Sequence, residues 1–304
     1  MNEVIFSVII PHYKSLDSLP RLLDSIPNRN DIEIIVIDNS PHKISVSDVK
    51  TQRNFKLLHS SNSRKAGGAR NVGIEAAQGK WLIFADADDF FTPEAFDFFT
   101  SYVDSDKDLI YFKVRSVYDD TLLESDRDEM WNRIIDDFIS GVNDEITTRL
   151  SYVVPWGKMV KKELVSTNDI RFDEVVAAND VMFSTKVGLK SNKFAVDSGY
   201  VYVVTTRAGS LANRRDLEVI KSRYLVAIRR NIYVREHGYK DQQGSIMIYL
   251  YSALKYGVIP FINFCCLAIK YKQNPFIGYR KWFKTFLETK KEQKLKKKYI
   301  TRQN

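Results

Sequence analysis

The residues of this 304-residue chain best suited to chemistry are Asp86, Asp88 and Asp89, which stand directly after the apolar run 81–85. Three carboxylates so close together repel one another, and capping a helix would use only one of them. A hard divalent cation resolves the repulsion, because oxygen ligands suit Mg or Mn. Such a cation can also hold a diphosphate and neutralise charge that builds on a leaving group. The alternative is an acidic turn in which one Asp caps a helix starting near Pro93. Placement at a strand end tilts the choice toward the metal.

A loop of this kind needs a frame. Short apolar runs at 4–10, 32–37, 55–58 and 81–85 predict strands. Between them, Leu16, Leu19, Leu22, Leu23 and Ile26 recur at helical spacing, and 69–77 reads as a helix that stops at Gly79. Apolar runs separated by helices imply a mostly parallel sheet covered on both faces, an α/β layer wound by right-handed crossovers. Ligands of such sheets bind beyond the carboxyl ends of the strands. The polar clusters 11–13, 38–40 and 86–89 all sit at such ends, so they converge on one crevice. Farther on, 109–118 predicts a strand, 126–139 an amphipathic helix, 153–158 a turn and 180–189 a helix. Two strands follow at 194–196 and 200–205, and the pattern is helical after Arg215. No internal repeat interrupts this order.

Four motifs in sequence carry a resemblance. They are Phe6-Ser7-Val8-Ile9-Ile10-Pro11-His12-Tyr13, Ile35-Val36-Ile37-Asp38-Asn39-Ser40, Gly68-Ala69-Arg70-Asn71-Val72-Gly73 and Phe84-Ala85-Asp86-Ala87-Asp88-Asp89. Their order and spacing resemble the family-2 glycosyltransferases, inverting enzymes with the GT-A nucleotide-sugar-binding fold. The likeness covers residues 4 to about 100, with weaker features to about 215. It implies a Rossmann-like domain over 1–215, while helical patterning and charge mark 216–304 as a helical, amphipathic, basic region. By the same resemblance, Pro11 and Tyr13 pack on a nucleotide base and Asp38 hydrogen-bonds a uracil-type base, which favours a UDP-sugar donor. Arg70 borders the base and the acidic loop. Asp86 and Asp88 form the D-x-D pair, with Asp88 the direct metal ligand and Asp86 nearer the ribose, while Asp89 stands behind the metal or near the acceptor.

Inverting transfer needs a base that deprotonates the acceptor hydroxyl as it attacks the anomeric carbon, and a carboxylate within hydrogen-bond reach suits this. The resemblance places that base at Asp180, at the start of a helix. Asn179 precedes it where the family usually has Glu; a contact to the acceptor is the role expected there. A plain helix cap is the alternative for either residue. Trp156-Gly157-Lys158 resembles a W-x-K segment that would offer a sugar ring an apolar face and a lysine, although a buried Trp with a snorkelling Lys also fits. Arg207 falls where the family has an arginine for the diphosphate, with Ser210 in the same segment. Lys14 and Asn39 depart from the usual Asn and Asp.

Net charge divides the chain. The total is +8, but 12 basic and two acidic residues over 270–304 give that stretch +10 and leave 1–269 at −2. A body near neutrality argues against a nucleic-acid-binding surface. Cys265 and Cys266 are adjacent and are the chain's two cysteines, so no disulfide framework is expected and a cytoplasmic location is favoured. The run 4–10 lacks a basic leader and a small-residue cleavage site and reads as a strand. Uncharged runs at 242–254 and 256–269 are each short of a bilayer span. An aromatic stripe over 276–287 and the lysine-rich end then read as a helix lying on an anionic membrane. The expected partners are therefore a nucleotide-sugar, a glycan or lipid-linked glycan acceptor and an anionic membrane surface through 246–304, on the inner face of the cell membrane. A nucleotidyltransferase, or a membrane- or nucleic-acid-binding protein without catalysis, are the rival classes. No Gly- and Lys-rich phosphate loop near the first strand supports the first of these.

Overall fold

The structure is a computed structural model and describes residues 3–207, 213–279 and 283. The chain divides into two compact units, Met1–Arg214 and Arg215–Asn304.

The first unit is built on four short runs of Ile, Val, Leu and aromatic residues. β1 (Phe6–His12) is buried along its whole length and lies between β2 (Ile32–Asp38) and β4 (Trp81–Phe84), parallel to both. β3 (Lys56–His59) pairs in parallel outside β2. The register sets His12 beside Asp38 and Asp38 beside His59, so three strand ends finish in line. Strand order reverses at β1, which opens the crevice beyond its carboxyl end.

Alternation along β1 sends Phe6, Val8 and Ile10 into one core layer with α1 (Leu19–Asp24) and α3 (Ala95–Thr100). Ile9 points to the other layer, against α2 (Lys65–Ala76) and α7 (Val181–Lys190). Helix α2 approaches the sheet closely at Gly73, where a Cβ would stand 2.4 Å from the Ile9 side chain.

The second half of the sheet departs from the mostly parallel arrangement. The described residues form eight strands in the order β3-β2-β1-β4-β7-β6-β8-β5. β7 (Lys158–Lys161) inserts antiparallel between β4 and β6 (Leu109–Tyr118), and the two-residue β5 (Phe90–Phe91) pairs antiparallel with β8 (Phe194–Thr206). The turn expected over 153–158 ends one residue earlier than anticipated, because Lys158 already belongs to β7. The two strands expected at 194–196 and 200–205 are one, bent by register shifts opposite Phe112 and Lys113. The helix expected over 126–139 starts later, as α4 (Glu129–Ile139), and α5 (Glu145–Ser151) and α6 (Lys162–Thr167) were not anticipated.

The second unit packs α8 (Leu217–Glu236), α9 (Met247–Leu254) and α10 (Val258–Lys270) around Ile220, Tyr224, Ile228, Leu250, Phe264 and Ala268. Tyr224 stacks on Phe264 at 4.6 Å and donates its hydroxyl to the Phe264 carbonyl. Gly257, at φ +114°, separates α9 from α10. Among the described residues, no helix is long and apolar enough to cross a membrane. Apart from 276–279 and 283, the aromatic stripe and the lysine-rich end lie outside the described residues, as does Ser210.

Candidate active site

The acidic loop leaves β4 at Ala85 and is held by its backbone. Ser18 donates to the Ala87 carbonyl at 2.9 Å, Arg21 to the Asp88 carbonyl at 2.7 Å, and the Asp86 amide to the Tyr202 hydroxyl at 2.8 Å. Thr205 adds a bond to the Asp88 carbonyl. With the backbone so fixed, the three carboxylates part company. Asp86 accepts from Arg70 at 2.5 Å, and Asp88 stands 3.5 Å from the Arg207 guanidinium. Asp89 turns inward and accepts from the Thr205 amide at 2.7 Å and its hydroxyl at 3.2 Å. Of the two places expected for Asp89, this buried carboxylate tied to β8 takes the one behind the loop.

Burial raises the pKa of Asp88, and the neighbouring Asp86 charge adds to this against the pull of Arg207. Burial raises Asp89 further, with Asp88 and Asp86 adding repulsion. Among the described residues, no three His, Cys, Asp or Glu side chains converge as a ready-made metal cage. Asp88 and Asp86 nevertheless fit a hard cation, because Mg binds to one or two carboxylates and completes its shell with water and substrate phosphates.

On the other side of β1, Asp38 is fully buried. One oxygen meets His12 Nδ1 at 3.1 Å and the Ser40 amide at 3.0 Å; the other accepts from the Ile44 amide at 3.2 Å. Burial alone would raise its pKa, but hydrogen bonds from Ser40, His12 and Ile44 overcome this and hold it at about 2. His12 Nε2 accepts from the Ser15 amide, which leaves Nδ1 to donate to Asp38. The carboxylate expected to read a base therefore serves its own loop first. Pro11 is buried within β1, and Tyr13 is the exposed member of the group. Lys14 follows at φ +54°, a left-handed conformation that Asn adopts more readily.

Arg70 ties the acidic loop to the segment before α7. It is buried on α2 and donates to Asp86 and, at 2.8 Å, to Asn179 Oδ1, with its guanidinium 5.2 Å from the Phe172 ring centre. Asn71 exchanges two hydrogen bonds with the Phe172 backbone. Asn179 thus anchors Arg70. Ala178 sits at φ +62°, a strained position for a residue with a Cβ, and the Asn179 carbonyl accepts from the Asp173 amide at 3.1 Å to hold the turn. Asp180 occupies the cap position of α7, yet its side chain makes no capping bond. Burial raises its pKa, opposed by the charges of Arg70 and Lys158.

Trp156 and Lys158 need correcting. Trp156 stacks on Tyr202 inside the core and offers no face to a sugar. Lys158 is buried, donating to the Tyr152 carbonyl at 2.9 Å and to Ser184 at 3.2 Å, and burial lowers its pKa to about 7 despite the Asp180 charge. Sequence reasoning missed Arg21, Tyr202 and Thr205. Tyr202 sits in an apolar strand 116 positions from Asp86, and nothing local marks it.

The family model for Glycosyl transferase family 2 matches residues 7–167, more than half of the chain. The chain belongs to glycosyl transferase family 2. It is 26% identical over 215 residues to the poly(ribitol-phosphate) beta-N-acetylglucosaminyltransferase TarS of Staphylococcus aureus (strain Mu50), covering 66% of this chain and 35% of that protein. A poly(ribitol-phosphate) beta-glucosyltransferase of Bacillus spizizenii is 26% identical over 208 residues, covering 64% and 31%. The chain thus spans about a third of the length of these relatives. The crystal structure of S. aureus TarS 1–349 in complex with UDP-GlcNAc aligns with a TM-score of 0.60 at 24% identity, covering 83% of this chain and 73% of that one. The fold is GT-A. The family-2 match takes in Asp38, Arg70 and the acidic loop and ends before Asn179, Asp180 and Arg207.

Proposed function

We propose that this family-2 chain is an inverting glycosyltransferase. It would move a sugar from a nucleoside-diphosphate-sugar, with UDP-sugar favoured, to a glycan or lipid-linked acceptor in surface-polysaccharide biosynthesis. The observation that carries this reading is Arg70, whose guanidinium joins Asp86 of the acidic loop to Asn179, next to Asp180. Relatives named for sugar transfer to poly(ribitol-phosphate), and a neighbour crystallised with UDP-GlcNAc, support the donor and acceptor classes.

In this reading Asp180 accepts the proton of the acceptor hydroxyl as its oxygen attacks the anomeric carbon. The bond from that carbon to the diphosphate breaks, and the diphosphate leaves with the electron pair. A carboxylate whose pKa is raised by burial is the better proton acceptor, since its conjugate acid lies closer to neutrality. Arg70 keeps the donor loop and the base-bearing turn in one register. Arg207, exposed beside Asp88, is placed to pair with phosphate oxygens, which its planar fork matches. Asp88 with Asp86 would hold Mg or Mn, which when bound neutralises charge on the diphosphate. Work at the cytoplasmic face of a membrane, through 246–304, belongs to the same reading.

Asp180→Asn tests it. Transfer from a panel of nucleotide-sugars should fall by about 100-fold or more, the usual worth of a positioned base, with donor binding by calorimetry unchanged. Loss of donor affinity instead would remove Asp180 from the role of base.

A further inference from the structure

Helices α9 and α10 are apolar on two opposite faces. One face is used: Leu250, Ala253, Phe264 and Ala268 are buried in the core of the helical unit. The other is not. Ile248 and Leu254 on α9, and Val258, Ile259, Ile262 and Ile269 on α10, are between 45% and 77% exposed. Along α10 the spacing 259, 262, 266 and 269 is one helical stripe, with Cys266 exposed in the middle of it. A helix apolar all round belongs in a buried setting, so this half-covered pair calls for a second cover.

Charge identifies that cover. No acidic residue occurs between Asp241 and Glu288, while Lys255 stands at the end of α9, Lys270 ends α10 and Lys272 follows. Long lysine stems can lie along an apolar face and keep their ammonium groups at its rim. A second copy docked by two-fold symmetry would bring these lysines against their equals, which disfavours it. A bilayer rich in anionic headgroups meets both demands, with acyl chains for the isoleucines and phosphates for the lysines. With 8 and 13 residues, α9 and α10 are too short to span, so they would lie in the plane of the membrane.

We propose that the outer face of α9 and α10 is a membrane-docking surface that enters an anionic leaflet through its isoleucines, with Lys255, Lys270 and Lys272 at the headgroups. This deepens the membrane part of the proposed function by assigning attachment to an apolar wedge rather than to the lysine-rich end. It stands or falls apart from the transfer chemistry, which is read separately through donor hydrolysis.

The test uses the full chain and vesicles of phosphatidylcholine with about a third phosphatidylglycerol. Flotation should recover the protein with these vesicles and much less with phosphatidylcholine alone, and a fraction should stay bound in high salt. A triple variant, Ile259→Ser, Ile262→Ser and Ile269→Ser, alters exposed side chains only. It should lower the partition coefficient on the order of 100-fold, from three half-buried isoleucines, with donor hydrolysis unchanged. In a Cys265→Ser background, a polarity-sensitive dye on Cys266 should shift to the blue on adding vesicles. Equal binding by the triple variant, with all binding lost in salt, would overturn the proposal in favour of the lysine-rich end. A parent that ignores vesicles but forms dimers that the triple variant loses would overturn it in favour of a second copy.

Discussion

Asp38 at the end of β2 and the acidic loop at the end of β4 flank the same strand, yet the pKa of Asp38 is lowered while those of Asp88 and Asp89 are raised. Asp38 is enclosed by donors from its own loop and held ionised, at about 2. Asp88, Asp89 and Asp180 are pushed the other way, chiefly by burial. The difference lies in what surrounds each group. Around Asp38 the backbone amides of Ser40 and Ile44 turn inward. Around Asp88 and Asp86 the loop's polar backbone is occupied by Ser18, Arg21, Tyr202 and Thr205, while Asp86 accepts from Arg70 and Asp88 faces the Arg207 guanidinium at 3.5 Å. One carboxylate is matched by donors of its own loop; the others are raised in pKa by burial beside one another.

The contrast can be broken at several points. The largest effect is expected for Asp88→Asn, which should reduce metal-stimulated donor hydrolysis by about 100-fold or more while leaving the melting temperature unchanged or higher. A large loss of stability with intact hydrolysis would make Asp88 structural, like Asp38. Next is Lys158, the buried cation behind the site. Its folded pKa of about 7 lies below the ordinary 10.5, so the unfolded chain binds more protons between those values. Its burial cost is full below pH 7 and fades as pH rises toward 10.5. Lys158→Met should therefore be more stable at pH 6 by up to about 4 kcal/mol, with the gap closing toward pH 10 in urea titrations.

Asp38→Asn should cost about 2 kcal/mol by leaving buried donors poorly matched. Because the Asp38 pKa is depressed, its stabilisation is fully present above 3.8 and is lost as pH falls through about 2. The variant should consequently show a flatter acid limb than the parent; an identical limb would show that Asp38 is not what holds the loop. The smallest effect concerns the strained turn. Ala178→Gly should stay within about 0.5 kcal/mol, as relief of strain offsets unfolded-state entropy, whereas Ala178→Val should cost about 1 kcal/mol. A large gain for the glycine variant would mean that the turn is less firmly held than its hydrogen bond to Asp173 indicates.

Much of the frame was legible in sequence because buried parallel strands are continuous apolar runs. Those runs located β1 to β4, β6 and the helix that carries Arg70. What failed to show was short or antiparallel. β7 hides behind Pro155 and Gly157, which read as a turn, and β5 has two residues. Of the site residues, Arg70 joins Asp86 to Asn179 beside Asp180, whereas Asp89, Trp156 and Lys158 turn into the interior. Trp and Lys announce a binding face and a buried pair equally well, and the core beneath β7 and β8 settled the matter for this chain.

The sequence by itself determined the first four strands and the carboxylates at the ends of β2 and β4, since local hydrophobic period and residue type are written residue by residue. It also determined that the positive charge is concentrated near the end of the chain. Only the tertiary structure decided which carboxylates are satisfied and which are left wanting. The donors that decide this, Thr205 for Asp89 and Arg70 for Asp86, stand far along the chain, and only folding brings them within hydrogen-bond distance.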